Sequence, residues 1–237
     1  KEVNENTIRF GFAFPDIYEV GMSHLGMHII YNLLNDIDDI YCERIFAPWI
    51  DMEELLRKED SPLFTIETHS PISEMDILGF TLQYELSYSN ILNMLNLGKI
   101  PLRSSERNES HPIVIAGGPC SYNPEPIADI VDIIVLGEGE ESTIEICNIY
   151  REMKGKGFNK TKFLEAVSKI EGIYVPSFYD VEYNEDNTIK AVTPKKEGYP
   201  ARVKKRIIKN LDESFFPEKV IVPFGDVVHD RAMIEIF

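Results

Sequence analysis

The sequence predicts an α/β protein with a doubly wound, parallel, five-stranded sheet of the Rossmann-like or flavodoxin-like kind. Through the first two-thirds of the 237 residues, short apolar runs alternate with segments whose apolar residues recur at helical spacing. The short runs are apolar at consecutive positions, which is typical of strands that helices cover on both faces. The pattern changes after Lys154, so a small α+β extension is expected to follow the sheet.

The predicted strands and helices alternate along this part of the chain. Strands are expected at 8–14, 41–48, 75–81, 112–118 and 132–137, and the run 63–68 has the pattern of a short additional strand. Helices are expected at 22–34, 51–60, 84–97 and 140–153. Asp51 is a suitable N-cap for the second helix, with Glu54 three residues later, and Gly98 ends the third helix.

The last third of the chain has a different organisation. A short helix is expected at 163–170, and aromatic residues that alternate around an Asn-Glu-Asp-Asn turn predict a hairpin at 174–192. Four prolines indicate an extended connector at 194–223, and 224–237 resembles a buried strand without a partner. We therefore expect a first domain over 1–154, an extension and connector over 155–223, and over 224–237 the first strand of a further domain that is cut off.

Charge and cysteine content disfavour several functional classes. The formal charge of −16 repels polyanions, which disfavours nucleic acid as a partner, although five of the eight residues from Arg202 to Lys209 are basic. Cys42, Cys120 and Cys147 form no CxxC pair, which argues against a disulfide framework or a self-contained metal site. No apolar stretch is long enough to span a bilayer and no secretory signal is recognised, so a cytoplasmic protein without a membrane partner is expected.

Four loops at the expected carboxyl ends of the strands are rich in glycine and polar residues. They are 15–26, 81–85, 117–126 and 137–142. Ligands of open parallel sheets bind in the crevice at this edge, so the four loops together predict a ligand crevice. The dinucleotide fingerprint GxGxxG is absent after the first strand, and a P-loop is absent too. Acid-base chemistry by Asp16, Glu19, His24 and Glu85 stays open, as does a purely structural role for His24.

Three short motifs in these loops resemble the signature of cobalamin-binding Rossmann-like domains. That signature is Asp-x-His-x-x-Gly after the first strand, Ser-x-Leu after the third and Gly-Gly after the fourth. The corresponding residues here are Asp16-x-Tyr18-x-x-Gly21, Thr81-x-Gln83 and Gly117-Gly118. The order and the strand positions match the signature, whereas tyrosine replaces the histidine.

The resemblance implies a set of cobalamin contacts. It implies Tyr18 and Met22 beneath the cobalt, Thr81 and Gln83 near the nucleotide tail, and Gly117, Gly118, Pro119, Gly137, Glu138 and Gly139 where the ligand approaches the backbone. Tyr18 would face the cobalt without being a good ligand, because a neutral phenol is a poorer donor than imidazole.

A second resemblance extends over nearly the whole chain. The segments FPDIYEVGMSHLG, FAPWIDMEELL, GFTLQYELSYSNILNML, AGGPCSYNPEP and VVHDRAMIEIF are similar to the N-terminal domain of one branch of cobalamin-binding radical SAM proteins. In that family the domain precedes a barrel whose CxxxCxxC motif holds a 4Fe-4S cluster and S-adenosylmethionine. The resemblance implies that this chain contains no catalytic residue, positions cobalamin, and has its own C-terminal barrel as partner, with an unspecified substrate.

Two other interpretations stay open. The first is a docking domain that keeps the fold but binds no cobalamin. The missing histidine and the Thr-x-Gln motif would indicate this loss of the cofactor. The second is a free-standing hydrolase or transferase that uses Asp16, Glu19 and His24.

Overall fold

The computed structural model describes residues 1, 3–219, 221–229 and 231, and its centre is a six-stranded sheet. The strands are β1 (Ile8–Phe14), β2 (Ile40–Phe46), β3 (Ile77–Thr81), β4 (Ile113–Gly117), β5 (Ile133–Val135) and β6 (Ile173–Tyr174). Their spatial order is β2-β1-β3-β4-β5-β6, and every neighbouring pair is parallel except β5 and β6. The prediction of an α/β protein with a mostly parallel sheet is confirmed. The sheet has a sixth strand that the sequence did not predict.

Six α-helices accompany the sheet in the described part of the chain. They are α1 (Tyr18–Gly21), α2 (Leu25–Asn35), α3 (Ile50–Lys58), α4 (Tyr88–Leu97), α5 (Gly139–Lys154) and α6 (Lys160–Val167). From β1 the chain crosses to β2 on one side, and from β2 it crosses back past β1 to β3 on the other side. Because both crossovers are right-handed, helices α2 and α3 lie on opposite faces of the sheet. Helix α2 packs on α5, and Arg57 of α3 donates hydrogen bonds to Asn93 and Asn96 of α4.

The core lies between the sheet and these helices. The largest fully buried side chains include Phe10, Phe80 and Phe163, which come from β1, β3 and α6 respectively. Burying a side chain of this size stabilises the fold by roughly 1.5–3 kcal/mol. Because Phe163, Ile173 and Val175 belong to the same cluster as the strand residues, the chain after Lys154 contributes to the core of the sheet.

Several element boundaries differ from the sequence prediction. Helix α2 begins at Leu25 rather than 22, because the His24 side chain caps it and residues 18–21 form the separate helix α1. The run 63–68 does not form a strand: Thr65 donates a hydrogen bond to Glu43 (2.8 Å), and Glu67 accepts one from Nε of the Arg44 side chain (2.7 Å). These residues satisfy two buried charged side chains of β2 instead of extending the sheet.

The predicted hairpin is present after β6. It consists of β7 (Tyr179–Tyr183) and β8 (Ile189–Pro194), which pair antiparallel as a separate two-stranded sheet. Half of the strand predicted at 224–237 lies outside the described residues, namely 230 and 232–237. Residues 221–229 form no strand. In this segment the backbone N–H of Phe224 donates to the Tyr18 hydroxyl (2.7 Å), and that of Val228 donates to the Glu19 carbonyl (3.2 Å).

Among the described residues, no helix has both the length and the apolar character that crossing a membrane requires.

Thiol reactivity provides a test of the packing. Cys42 and Cys147 are fully buried, and burial raises the pKa of Cys147 to about 12, whereas Cys120 is half-buried. Because the thiolate is the reactive species, we expect an aromatic disulfide reagent to modify about one thiol in the native protein and all three cysteines after denaturation. Mass spectrometry of the quenched native reaction should find the label on Cys120. Rapid native labelling of Cys42 or Cys147 would contradict this packing.

Candidate functional site

A crevice of about 590 Å³ opens over the carboxyl ends of β1, β3, β4 and β5. Its walls come from the sheet and from the first residues of α2 and α5. The order of the parallel strands reverses between β1 and β3, and ligands of open α/β sheets bind where the strand order reverses. The structure therefore contains a crevice at the edge that the four loops predicted.

The crevice gathers eight of the twelve residues that the cobalamin resemblance named. They are Thr81, Gln83, Gly117, Gly118, Pro119, Gly137, Glu138 and Gly139. Apolar side chains such as Phe12, Ile115 and Val135 complete the walls. The described lining contains no lysine or arginine, while Glu138 and Glu140 are both present. The crevice therefore offers a ligand flat apolar contact, neutral hydrogen-bonding groups and two carboxylates, with no lysine or arginine among its described residues.

The Gly117-Gly118 turn lies tightly against the end of β3. Gly118 has a φ of +121°, and a Cβ at this position would lie 3.0 Å from the carbonyl oxygen of Leu82. The Leu82 N–H donates to the carbonyl of Gly117 (2.6 Å), and the Leu82 carbonyl accepts from the N–H of Cys120 (3.0 Å). Glycine adopts this positive φ at little energetic cost. The turn places Pro119 at the edge of the crevice.

Gly139 leaves space in the crevice. A Cβ at this position would meet only Ile30 and Thr143, each at the ordinary van der Waals distance of 3.8 Å. Both neighbours also line the crevice. Because Gly139 has no side chain, the crevice has open volume beside the first residue of α5.

Gly137 lies against the Arg206 segment as well as in the crevice lining. A Cβ on Gly137 would overlap the carbonyl oxygen of Arg206, and the two residues form a parallel β-bridge. The Arg206 N–H donates to the carbonyl of Leu136 (2.8 Å), and the Arg206 guanidinium binds Glu141 and Glu145 on α5 (2.8 Å each). Gly137 lies in the crevice lining, and because it has no side chain the Arg206 backbone can pack directly against it.

Replacing Gly137 with Ala is expected to detach the Arg206 segment. Both the overlap and the positive φ of +100° oppose a Cβ, and strain of this kind costs about 1–3 kcal/mol. We expect faster trypsin cleavage after Arg202, Lys204 or Lys205, measured by mass spectrometry under native conditions. Gly157→Ala is the matched control, because Gly157 also has a positive φ (+81°) with nothing within 4 Å of its Cβ position. Equal cleavage in both variants would show that the contact with Arg206 does not hold this segment.

The residues from the β1 loop are divided between two places. Asp16, Tyr18, Gly21 and Met22 lie outside the crevice lining, whereas His24, Leu25 and Gly26 are part of it. None of the twelve residues lies within 24–26. The available signal was that His24 and Gly26 belong to the loop 15–26, which the sequence predicted at the edge of the crevice.

Local packing explains why Tyr18 and Met22 are away from the crevice. Helix α1 packs towards β2: the Tyr18 ring lies 5.2 Å from that of Phe46, and a Cβ on Gly21 would overlap the same ring. Tyr18 lines a second cavity of about 510 Å³ beside Trp49. Met22 is buried, and its sulfur lies 2.9 Å from Nη1 of Arg44.

His24 joins helix α2 to the polar part of the crevice. Its Nδ1 accepts a hydrogen bond from the backbone N–H of Met27 (3.3 Å), and its ring lies 5.4 Å from that of Phe14. Burial lowers the pKa of His24, which a hydrogen bond with Gln83 partly offsets. The Gln83 amide nitrogen in turn donates to the Thr81 hydroxyl (2.5 Å).

The alternative acid-base residues do not converge with His24 in the crevice lining. Asp16, Glu19 and Glu85 are exposed and absent from that lining. The described residues also contain no group of three or more His, Cys, Asp or Glu side chains that could hold a metal ion. Of the four residues considered for acid-base chemistry, His24 therefore is the one that the described lining contains.

The comparison with protein families supports a radical SAM context. The family described as "Radical SAM proteins, N-terminal" matches residues 26–176. Uncharacterized protein MJ0966 of Methanocaldococcus jannaschii is 27% identical over 162 residues, which cover 68% of this chain and 30% of that protein. The chain thus spans about 30% of the length of this curated relative.

One solved structure is a weaker match. It is the radical S-adenosylmethionine methyltransferase TsrM from Kitasatospora setae, with a tryptophan substrate and a SAM analog bound. The TM-score is 0.43 at 13% identity, and the match covers 76% of this chain and 29% of that one. Since the family model matches more than half of the residues, the chain belongs to the family of radical SAM proteins, N-terminal.

Proposed function

We propose that this chain is the cofactor-positioning module of a radical SAM enzyme and that its crevice binds cobalamin. The observation that carries the proposal is the glycine-lined crevice at the carboxyl ends of β3, β4 and β5. The family membership provides the radical SAM context. We also propose that the sheet is of the Rossmann-like or flavodoxin-like kind.

The crevice fits the nucleotide tail of cobalamin better than the corrin ring. A volume of about 590 Å³ with apolar walls and a polar end suits an aromatic base and its sugar. Thr81, Gln83, Gly118, Pro119 and Gly139 would hold the tail, because all of them line this space. When bound, cobalamin would supply a carrier for a methyl group.

We propose that neither Tyr18 nor Met22 lies beneath the cobalt, because other parts of the chain contact both side chains. The Tyr18 hydroxyl accepts a hydrogen bond from the Phe224 backbone, and the sulfur of Met22 contacts Arg44. His24 Nδ1 accepts the Met27 N–H, so a neutral ring carries its hydrogen on Nε2 and has no free nitrogen lone pair for the cobalt. We therefore propose that cobalamin binds through its tail and that this chain provides no nitrogen ligand to the cobalt.

The remaining cofactors and the partner belong to the proposal for the whole protein. A 4Fe-4S cluster and S-adenosylmethionine would be held by a radical SAM barrel, which would be the partner of this module for a methyl transfer or another radical reaction. Large apolar side chains are exposed in the segments that follow β2, β3 and β4, where such a barrel would dock. They are Trp49, Ile50, Tyr84, Leu86 and Tyr122.

A docking module without cobalamin is the second candidate. Two observations favour it: the exposed apolar side chains just named, and the engagement of Tyr18 and Met22 by other parts of the chain. In this alternative the fold would serve only to hold its partner.

Titration with hydroxocobalamin distinguishes the two candidates. If the crevice binds cobalamin, the visible spectrum should change saturably at one equivalent of protein, towards the spectrum of a cobalt without a nitrogen lower ligand. Tyr18→Phe should bind equally well, because Tyr18 lies outside the crevice. An unchanged spectrum with folded protein would reject cobalamin binding and leave the docking module.

A further inference from the structure

The second cavity, of about 510 Å³, lies where α1, the end of β2 and the start of α3 meet. Four aromatic side chains line it, namely Tyr18, Phe46, Trp49 and Phe64, and we call it the aromatic cavity. Among the described residues, none lines both this cavity and the crevice. Its volume is in the usual range for sites that bind small molecules.

The rings of the aromatic cavity come from separate segments of the chain. The centroid of the Tyr18 ring lies 5.2 Å from that of Phe46, and the Tyr18 hydroxyl accepts a hydrogen bond from the Phe224 backbone N–H (2.7 Å). Phe46 ends β2 and is 7% exposed, whereas Trp49, directly before α3, is 62% exposed. The cavity therefore has a buried aromatic wall and an indole ring that solvent reaches.

The charged side chains of the aromatic cavity are acidic. Glu19 and Asp51 line it, and its described lining contains no lysine, arginine or histidine. Asp51 accepts a hydrogen bond from the N–H of Met52 (2.8 Å), and neither carboxylate has a basic partner in the described part of the chain. The net charge of −16 also attracts cations to the surface. The cavity therefore favours a cation over an anion.

The apolar part of the lining restricts the kind of cation. Phe46, Leu63 and Ile66 have hydrocarbon side chains, and the first two are buried. A primary ammonium or a guanidinium placed against them would keep N–H donors without acceptors, which costs free energy. A quaternary ammonium has no N–H group, and aromatic rings attract its charge. The lining therefore fits a cation whose charge is covered by alkyl groups.

We propose that the aromatic cavity binds a small, free organic cation of the quaternary ammonium class. The rings of Tyr18 and Trp49 would contact the alkyl groups, and the carboxylates of Glu19 and Asp51 would balance the charge. This site goes beyond the proposed function and does not depend on it, because the crevice has a separate lining.

Three probes that differ in one group test the proposal on the 237-residue chain. Choline carries a quaternary ammonium, its tert-butyl analogue is neutral and nearly the same size, and ethanolamine carries a primary ammonium. Trp49 is the single tryptophan of the sequence, so its fluorescence reports binding in this cavity. We expect choline to change the fluorescence saturably and the other two probes to bind at least about tenfold more weakly.

The same titrations include the results that would overturn the proposal. Equal affinity for the neutral analogue would make the cavity an apolar docking surface. Equal affinity for ethanolamine would make it an acidic site without selectivity for alkyl groups. Absence of saturable choline binding to the folded chain would exclude the site.

A substitution of the exposed ring locates the binding. Trp49→Leu should weaken choline binding by about tenfold, measured by calorimetry because the fluorophore is removed. Tyr183→Leu is the matched control, because Tyr183 of β7 is similarly exposed (56%) and lies outside both cavities. Circular dichroism verifies that both variants are folded. Parent-like binding by Trp49→Leu, or equal losses in both variants, would contradict this location.

A double substitution tests the carboxylates without removing a ring. Glu19→Gln with Asp51→Asn should weaken choline binding several-fold and leave binding of the neutral analogue unchanged. Glu185→Gln with Glu197→Gln removes the same net charge from exposed residues outside the aromatic cavity, and this control should bind choline as the parent does. Equal losses in the two double variants would assign the effect to net charge and overturn the role of the cavity.

Sedimentation with phosphatidylcholine vesicles tests whether the ligand is a free molecule, because the lipid headgroup carries the same cation. We expect the chain to stay in the supernatant while it binds choline. Sedimentation with the vesicles that free choline reverses would assign the cavity to a lipid headgroup and overturn the proposal of a free ligand. A failure to bind hydroxocobalamin would reject the proposed function and leave all of these outcomes interpretable.

Discussion

Replacing Asp132 with Asn is expected to lower the free energy of unfolding by about 3–5 kcal/mol, the usual cost of removing one partner from a buried ion pair. Asp132 is 1% exposed and accepts hydrogen bonds from Arg107 (2.9 Å) and from the backbone N–H of Val114 (2.8 Å). Its other oxygen binds Lys160 of α6 (2.8 Å). Loss of its charge would leave the fully buried guanidinium of Arg107 without a counter-ion.

An exposed pair close by provides the control for Asp132. Arg103 and Asp129 lie 2.7 Å apart, with side chains 60% and 80% exposed. Asp129→Asn should change stability by less than about 1 kcal/mol, because water and salt screen an exposed pair. Urea unfolding followed by circular dichroism measures both variants. Similar midpoints for the two variants would mean that the Asp132 network contributes little to the stability of the sheet.

Replacing Gly139 with Leu is expected to weaken hydroxocobalamin binding by at least about tenfold without destabilising the protein. The new side chain would enter open crevice volume, because the Cβ position meets only Ile30 and Thr143 at 3.8 Å. Gly139 is the first residue of α5 and no positive φ opposes substitution. In a helix, leucine is more favourable than glycine by somewhat less than about 1 kcal/mol, so stability should be unchanged or slightly higher.

Gly155→Leu at the other end of α5 is the control for Gly139→Leu. Gly155 caps the helix C-terminus, and a Cβ there would have nothing within 4 Å. It is outside the crevice lining, so this variant should bind hydroxocobalamin as the parent does. Spectral titration and thermal unfolding of both variants complete the comparison. Unchanged affinity in Gly139→Leu would exclude this crevice as the cobalamin site.

The sequence by itself determined the alternation of strands and helices and the edge at which the loops form a crevice. Apolar runs such as Ile8–Phe14 specify buried strands, and the carboxyl ends of parallel strands meet at one edge. The eight predicted residues from the loops after β3, β4 and β5 therefore meet in one crevice. The sequence did not reveal β6, because Ile173–Tyr174 is too short to produce a periodic pattern.

Only the tertiary structure decided which residues of the β1 loop reach the crevice and what Gly137 accommodates. Helix α1 packs Tyr18 and Met22 towards β2, and His24 takes the position at the crevice instead. The need for glycine at 137 comes from Arg206, a residue far along the chain. A short motif shows which residues follow a strand. The direction in which the loop then turns depends on packing between segments that are distant in sequence.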